Sequence, residues 1–404
     1  MDKACASHRP FLFSQKTNTM LAEMLSPLDR DRFEIEWKEG TLGHSTSKFF
    51  DRLPDLEGIG MAIVGINDSR GNTDNEGSAD AADAVRDALY ALMGNPIPWV
   101  DLGNIKAGHT IADTRFAVKT VCWELIRQNI VPILIGGSHD LAFGQYLAYQ
   151  NYDKTIDLVS IDSRFHLEAR EEELDTHNYL YQLIAHQPTH LFNYINLGYQ
   201  TYLVSQEEIR LIEKLYFDAI RLGEIRSQLE EAEPYLRAAD MLTIDVSAIR
   251  WSEAPGQAKP SPNGFFAHEL CQLARYAGLS DKLSSIGFYE YNPHRDQHGI
   301  TAALFAQAIW YFADGFMNRM SDLPRVKNKS FIKYTTTLKA GKHDLVFYKS
   351  KKSGRWWMEV HLPPIKGSKK DRTHLVPCSY NDYLMAGKDE LPDKWWKFHQ
   401  KYMV

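Results

Sequence analysis

Cysteine is scarce in this 404-residue sequence, which has only Cys5, Cys122, Cys271 and Cys378, widely scattered. They make no CxxC pair and no disulfide framework, which excludes a disulfide-stapled fold. No run of about 18 or more uncharged apolar residues occurs, so no membrane span is expected. The opening MDKACASHRPFLFSQ has no basic segment leading into an apolar stretch, so no secretory signal is expected either. Internal repeats and long low-complexity tracts are also missing. The expectation is a reduced, cytoplasmic protein.

What is present can build a large core. Hydrophobic residues make up 44% of the chain and aromatics 12%, a composition too apolar for disorder. The length fits two domains, or one large domain with additions. The net charge of −6 is unevenly spread: from Arg319 to Val404, 19 Lys/Arg face 8 Asp/Glu, a net of +11, which leaves −17 for the rest. A basic tail on an acidic body either binds something acidic or docks on its own body or that of a neighbouring subunit.

Three regions follow from the pattern. Residues 1–57 form a polar N-terminal extension with one amphipathic stretch, Met20–Leu28. Residues 58–318 alternate short apolar runs with amphipathic segments. The runs are Met61–Ile66, Pro98–Leu102, Ile130–Ile135, Leu158–Asp162, Asn193–Gly198, Met241–Val246 and Leu283–Tyr289. Between them lie helical patterns at Asp80–Met93, Ile111–Gln128, Phe265–Ala277 and Thr301–Phe316. This alternation predicts an α/β fold of three layers, a parallel sheet between helices, with ligands at the edge where the strands end. Residues 319–404 form a basic, Trp-rich extension. Its runs Phe331–Thr337, Asp344–Ser350 and Trp356–Leu362 read as strands, with a hairpin loop at Lys351–Gly354 and breaks at Pro363, Pro364, Gly367 and Pro377. A small β-rich appendage ending in a helical turn is expected there, carrying Trp356, Trp357, Trp395 and Trp396.

Four strand ends carry candidate chemistry. In ILIGGSHD, two glycines permit a tight turn that sets His139 at the sheet edge, although a lone histidine is more often a satisfied loop residue. In LVSIDSRFHLE, Asp162, Arg164 and His166 alternate, so an extended backbone would point all three the same way. In MLTIDVSAIRWSEAPG, Asp245 ends a strand and Ser247 follows on the same side. In SSIGFYEYNPHRD, Glu290 ends a strand before the Asn292–Pro293 turn. Singly, such strand-end acids are usually turn formers or helix caps. Together, His139, Asp162, His166 and Asp245 are N and O ligands suited to manganese, iron or zinc.

These segments resemble, in order, the motifs of the ureohydrolases, the arginase, agmatinase and formimidoylglutamase family. GGSHD resembles the family's GGDHS, SIDSRFH its SIDAHxD, and TIDVSAIRWSEAPG its DxDxxDPxxAPG. YEYNPHRDQHGITAALFA resembles its VExNPxxDxxxxTAxLAA. Upstream, Asn72, Gly77, Ala82, Val85, Arg86, Ala88 and Leu89 fall on its NxGRxGAxxGPxxIRxAL, and Asp101-Leu102-Gly103 on its DLG. The likeness spans Met61 to Phe316 and is nearest the formimidoylglutamase-like branch.

The resemblance implies an arginase-like fold and a pair of manganese ions that activate water for attack on a guanidinium or formimino carbon. It assigns His139, Asp162, His166 and Asp245 to one ion. The second ion's own ligands would fall on Arg164 and Ser247. Arginine offers no lone pair, and serine is a poor ligand, so this site is read as lost. One Mn2+ or another divalent transition metal at most, or none, is the resulting expectation. Arg164 is expected to lie between Asp162 and Asp245 in place of the missing ion. The resemblance also puts Glu290 on the substrate's amidinium and leaves His177, within Asp175–Gln182, as a further substrate-binding candidate.

Two functions follow, the first favoured because a one-metal site loses the two-ion clamp that activates the water. One is a catalytically impaired ureohydrolase fold kept for binding or assembly, with a protein partner or a second copy meeting the tail. The other is a single-metal C–N hydrolase of a guanidino or formimino substrate. Nucleic-acid binding through the tail has charge and aromatics behind it but no recognisable motif.

Overall fold

In the computed structural model, residues 20–152, 155–168, 174–324, 330–338, 343–362 and 372–402 are described. The opening residues, Cys5, Pro363, Pro364 and Gly367 lie outside them. Ten strands make the main sheet: β1 (Leu25–Ser26), β2 (Ser47–Lys48), β3 (Met61–Ile66), β4 (Trp99–Ile105), β5 (Val131–Ile135), β6 (Ile156–Ile161), β7 (Leu191–Tyr199), β8 (Asp218–Arg221), β9 (Met241–Asp245) and β10 (Ser285–Tyr289). Their spatial order is β1-β4-β3-β5-β10-β9-β6-β7-β8, with β2 also on β4, and only the β1–β4 pair is antiparallel. The seven apolar runs became β3, β4, β5, β6, β7, β9 and β10. The expectation missed β1, β2 and β8, which are two to four residues long and lie at or near the sheet's margins.

The strands are buried on both faces, as their near-continuous apolar sequences require. One face, with Ile133, Ile135, Ile244 and Phe288, packs on α1 (Ala81–Tyr90), α4 (Ala267–Gly278) and α5 (Ile300–Met317). The other, with Leu134, Leu158 and Met241, packs on α2 (Ile111–Ile126) and α3 (Tyr179–Ala185). Helix α5 is the one described helix long and apolar enough to cross a membrane by length and composition. Ten of its residues are buried, and it packs mainly on α4 and α1, so here it serves as a core helix.

A buried ion pair ties α1 to β4. Arg86 donates to Asp101 at 2.8 and 3.1 Å and to the Gly103 carbonyl, while the Tyr90 hydroxyl donates to Asp101 at 2.7 Å. Arg86 and Asp101 are both fully buried. Burial alone would depress the guanidinium, but Asp101 outweighs it and raises Arg86 further above its usual range.

Beyond α5 comes a separate antiparallel sheet of β11 (Phe331–Leu338), β12 (His343–Ser350), β13 (Trp356–Leu362) and β14 (Arg372–Cys378), then α6 (Tyr380–Gly387) and α7 (Asp393–Lys401). The expected hairpin joins β12 to β13, while β14 and the second helix are additional. This appendage sits on its own chain's core. Arg237, in the helical turn Glu233–Ala238, donates to the carbonyls of Trp356 and Cys378 at 3.0 and 3.1 Å, and its guanidinium lies 4.3 Å from the centre of the Trp357 ring. Arg355 pairs with Glu233 at 3.2 Å and Lys397 with Asp218 at 2.9 Å. Tail cations thus meet core acids within one chain.

Candidate metal centre and adjoining cavity

The candidate residues come from four strands that are consecutive in the sheet, β5, β10, β9 and β6. Parallel registry aligns their ends: Tyr289 pairs with Asp245, and Ile161 with Ile244, which leaves Asp162 beside Asp245. After β5 the chain turns sharply at Gly136 and Gly137, both at positive φ. A Cβ on Gly137 would come within 2.6 Å of the Asp68 carbonyl, so a side chain is excluded there. The turn delivers His139 to the sheet edge. Two further site residues, His166 and Glu290, take left-handed backbone at φ +58° and +65°, a strain that concentrates at functional sites.

His139, Asp162, His166 and Asp245 are all buried, and one ligand atom from each lies within 4.8 Å of the others. His139 Nδ1 is 2.9 Å from Asp245 Oδ2 and 3.5 Å from Asp162 Oδ2. His166 Nε2 is 3.1 Å from Asp162 Oδ2. Burial opposes charge on His166, but Asp162, then Asp245 and Glu290, overcome it and lift the imidazole to about 9. Burial likewise opposes charge on Asp245, but the His139 hydrogen bond, both imidazoles and the Ser247 N–H hold it at about 2.

The cluster passes a simple test of fit for a divalent metal. Asp162 Oδ2 and His166 Nε2 are completely buried, yet neither has a well-directed hydrogen bond despite their closeness. Such orphaned buried atoms are costly unless something else satisfies them. Two imidazoles and two carboxylates match the preferences of manganese, iron or zinc.

Arg164 and Ser247, the two positions read as a lost second site, make other contacts. Ser247 donates its N–H to Asp245 Oδ1 at 2.7 Å, and its hydroxyl lies 2.9 Å from that of Ser163. Arg164 does not lie between the acids, which corrects the expectation. Its backbone N–H donates to Asp162 Oδ1 at 2.9 Å, and its guanidinium donates to the Leu203 carbonyl at 3.0 Å. The strand ends at Ile161, so the two-residue alternation that would have aligned Arg164 with Asp162 and His166 no longer operates. The nitrogen groups nearest the two acids are the His139 and His166 imidazoles instead.

His166 and Asp245 open onto a cavity of about 400 Å³ that Arg164, Ser247, His177 and Glu290 also line. Glu290 is its most tightly held acid. Oε1 accepts from the His139 N–H at 2.8 Å and the Thr176 hydroxyl at 2.6 Å; Oε2 accepts from Asn72 and Asn75 at 2.7 and 2.8 Å. Its carboxylate is therefore a fixed negative charge at the cavity wall rather than a free arm. His177 is half-buried, and burial together with Lys259 pushes its imidazole below the usual range. Outside the cavity wall, the Tyr179 hydroxyl lies 3.2 Å from His139 Nε2, and the Tyr289 ring stacks on His139 at 5.0 Å. The sequence reading missed the roles of Asn75, Thr176, Tyr179 and Tyr289. Thr176 and Tyr179 fall in Asp175–Gln182, which the resemblance marked as substrate-contacting, but nothing in the pattern separated them from their neighbours.

The arginase family model matches residues 59–314, well over half of the chain. The chain belongs to the arginase family. Among its relatives, the formimidoylglutamase of Staphylococcus aureus strain MRSA252 is 27% identical over 300 residues, covering 70% of this arginase-family chain and 96% of the relative. That of Staphylococcus haemolyticus is 25% identical over the same length, with the same coverage. Solved structures share the fold. Trypanosoma cruzi formiminoglutamase with Mn2+ superposes with a TM-score of 0.60 at 16% identity, covering 66% of this chain and 96% of its own. Bacillus subtilis formimidoylglutamase gives 0.59 at 18% identity, with 72% and 98% covered. The family match stops at residue 314, ahead of the β11–β14 appendage.

Proposed function

We propose that the chain hydrolyses a C–N bond in a linear amidine, with a formimino compound as substrate, at a centre holding one divalent transition metal, manganese first among them. One observation carries the reading: four buried ligand atoms within 4.8 Å of one another open through His166 and Asp245 onto a cavity of about 400 Å³, large enough for a small amino-acid derivative. Relatives named formimidoylglutamase support it from the sequence side. The reading favoured from the sequence, an impaired fold kept for binding, rests on Arg164, Ser247 and the basic tail, and no relative described above supports it.

The chemistry follows from what faces the cavity. A divalent metal in this centre would supply the Lewis acidity that makes water nucleophilic at neutral pH. Glu290, fixed by four donors, presents negative charge to a cationic amidinium without having to reorganise. His139 is held by Asp245 on one side and Tyr179 on the other, which keeps its ring in place. Hydrolysis adds water to the amidine carbon and breaks its bond to the carrier nitrogen, which takes a proton and leaves as an amine. Three free, buried cysteines, Cys122, Cys271 and Cys378, suit a reducing cytoplasmic setting.

For the tail we propose a cap on its own core, supported by the Arg237 contacts. Trp396, 49% exposed, is left for a protein partner or a second copy.

The test is turnover by the full chain loaded with Mn2+, offered N-formimidoyl-L-glutamate, agmatine and formamidine in turn, with the released amine or ammonia measured. Metal-dependent turnover of the formimino substrate, lost in Asp245→Asn, is expected. A metal-loaded protein that turns over none of the three would overturn the hydrolase reading in favour of the binding one.

A further inference from the structure

Each other cation on the cavity wall has an acid partner. His166 sits against Asp162, and Lys259 pairs with Asp74 at 3.4 Å, both ends of that second pair being well exposed. Arg164 differs. Among the described residues its half-buried guanidinium makes a single hydrogen bond, to the Leu203 carbonyl, and forms no ion pair. A guanidinium carries five N–H donors in a planar fork, so most of this one's donors are unclaimed by the chain. Three acids share the cavity: Asp245 is engaged with His139, Glu290 with its four donors, and Glu168, exposed, makes no ion pair with Arg164.

Position adds to chemistry. Arg164 lies two residues after Asp162 and two before His166, in a segment pinned at both ends. Its own N–H donates to Asp162, and its carbonyl accepts from Asn196 at 2.8 Å. The guanidinium is thus carried on a fixed backbone beside the metal-ligand cluster, while its tip turns away from the two acids and lines the same cavity as His166 and Asp245. The cavity then has a fixed negative wall at Glu290 and an unpaired positive group at Arg164. A ligand that satisfies both is cationic at one end and anionic at the other.

We infer that Arg164 is a specificity-determining residue which docks a carboxylate on the substrate's carrier arm, so that the site selects amidines bearing an acidic group over neutral or cationic ones. The guanidinium fork fits a carboxylate bidentately, which a lysine at this place would not do as well. The inference rests on the proposed amidine-hydrolase reading for its substrate, but the docking of an acid is separable from turnover.

The experiment therefore has two arms, on the full chain loaded with Mn2+. Glutarate, a dicarboxylate with no amidine, is titrated by calorimetry into the parent, Arg164→Gln and Arg164→Lys, with metal content and melting point checked for each. Arg164→Gln is expected to weaken glutarate binding roughly ten- to hundredfold, the loss of a charge-assisted pair, with Arg164→Lys in between. In the kinetic arm, Arg164→Gln is expected to raise KM for N-formimidoyl-L-glutamate more than it lowers kcat, and to shift KM for formamidine far less. Glutarate bound equally by parent and Arg164→Gln, or by neither, would overturn the inference. A parent that binds glutarate through Arg164 but turns over no amidine would overturn the hydrolase reading while upholding this one.

Discussion

The Tyr179 hydroxyl and His139 Nε2 lie 3.2 Å apart, with the two rings 4.5 Å between centres. That contact turns the opposite nitrogen, Nδ1, to the acids, 2.9 Å from Asp245. A histidine that ligates a metal usually has its second nitrogen held by such an outer partner, and losing that partner costs affinity. Tyr179→Phe keeps the ring and removes the oxygen. It is expected to lower Mn2+ affinity about 10- to 100-fold by calorimetry, with the melting curve little changed. An unaltered dissociation constant would show that packing alone orients His139.

Glu290 is a hub for four donors, and an amide cannot replace it without conflict. Glu290→Gln turns one acceptor oxygen into a donor facing donors already in place. Unfolding in urea is expected to show a loss of about 1–3 kcal/mol for each buried group left unpaired. Wild-type stability in this variant would mean that the Asn72 and Asn75 side chains simply flip to present their oxygens.

Arg86 and Asp101 form the fully buried pair beneath the sheet. Arg86→Leu leaves Asp101 with the Tyr90 hydroxyl and the Gly103 N–H as donors, and should cost about 3–5 kcal/mol in denaturant unfolding. A smaller loss from the double change Arg86→Leu with Asp101→Leu is expected, since no lone charge then remains buried. If the single variant is as stable as the parent, Asp101 must take up a proton or admit water at little cost.

Removal of residues 319–404 should lower the thermal midpoint of the remaining core, because Arg237 would lose two carbonyl acceptors and its Trp357 platform. A truncated chain with unchanged stability but altered oligomeric mass would make the tail an assembly element rather than a cap.

Much of the site is legible in the sequence, for a local reason. Asp162, Asp245 and Glu290 each directly follow or end a short apolar run, His139 follows one across the Gly136–Gly137 turn, and parallel registry then places neighbouring strand ends side by side. Arg164 could not be read the same way. Its direction is decided one residue after the strand stops, where Asp162 captures its N–H and the chain leaves the extended form. Thr176 and Tyr179 reach the centre from a different segment, through contacts that no spacing in the sequence encodes. The docking of the tail is similarly hidden, since Arg237 and Trp356 are 119 residues apart and neither lies in a motif. The short strand β8 and the proline-containing β14 were missed because four residues, or a run ending in Pro377 and Cys378, carry too little periodicity to stand out.

Arg164→His with Ser247→Asp should supply the two ligand types missing from the second site. The pair is expected to bind more Mn2+ per chain than the parent, by elemental analysis after gel filtration. If it binds no more, then the local backbone, with Ser247 tied to Asp245 and Ser163, holds those positions away from a second ion.

The most direct test of the account is the number of metal ions in the purified full chain after Mn2+ loading and desalting. His139, Asp162, His166 and Asp245 should hold about one ion per chain, and Asp245→Asn should abolish it. Zero in the parent would contradict the metal centre itself, and two would contradict the loss of the second site at Arg164 and Ser247.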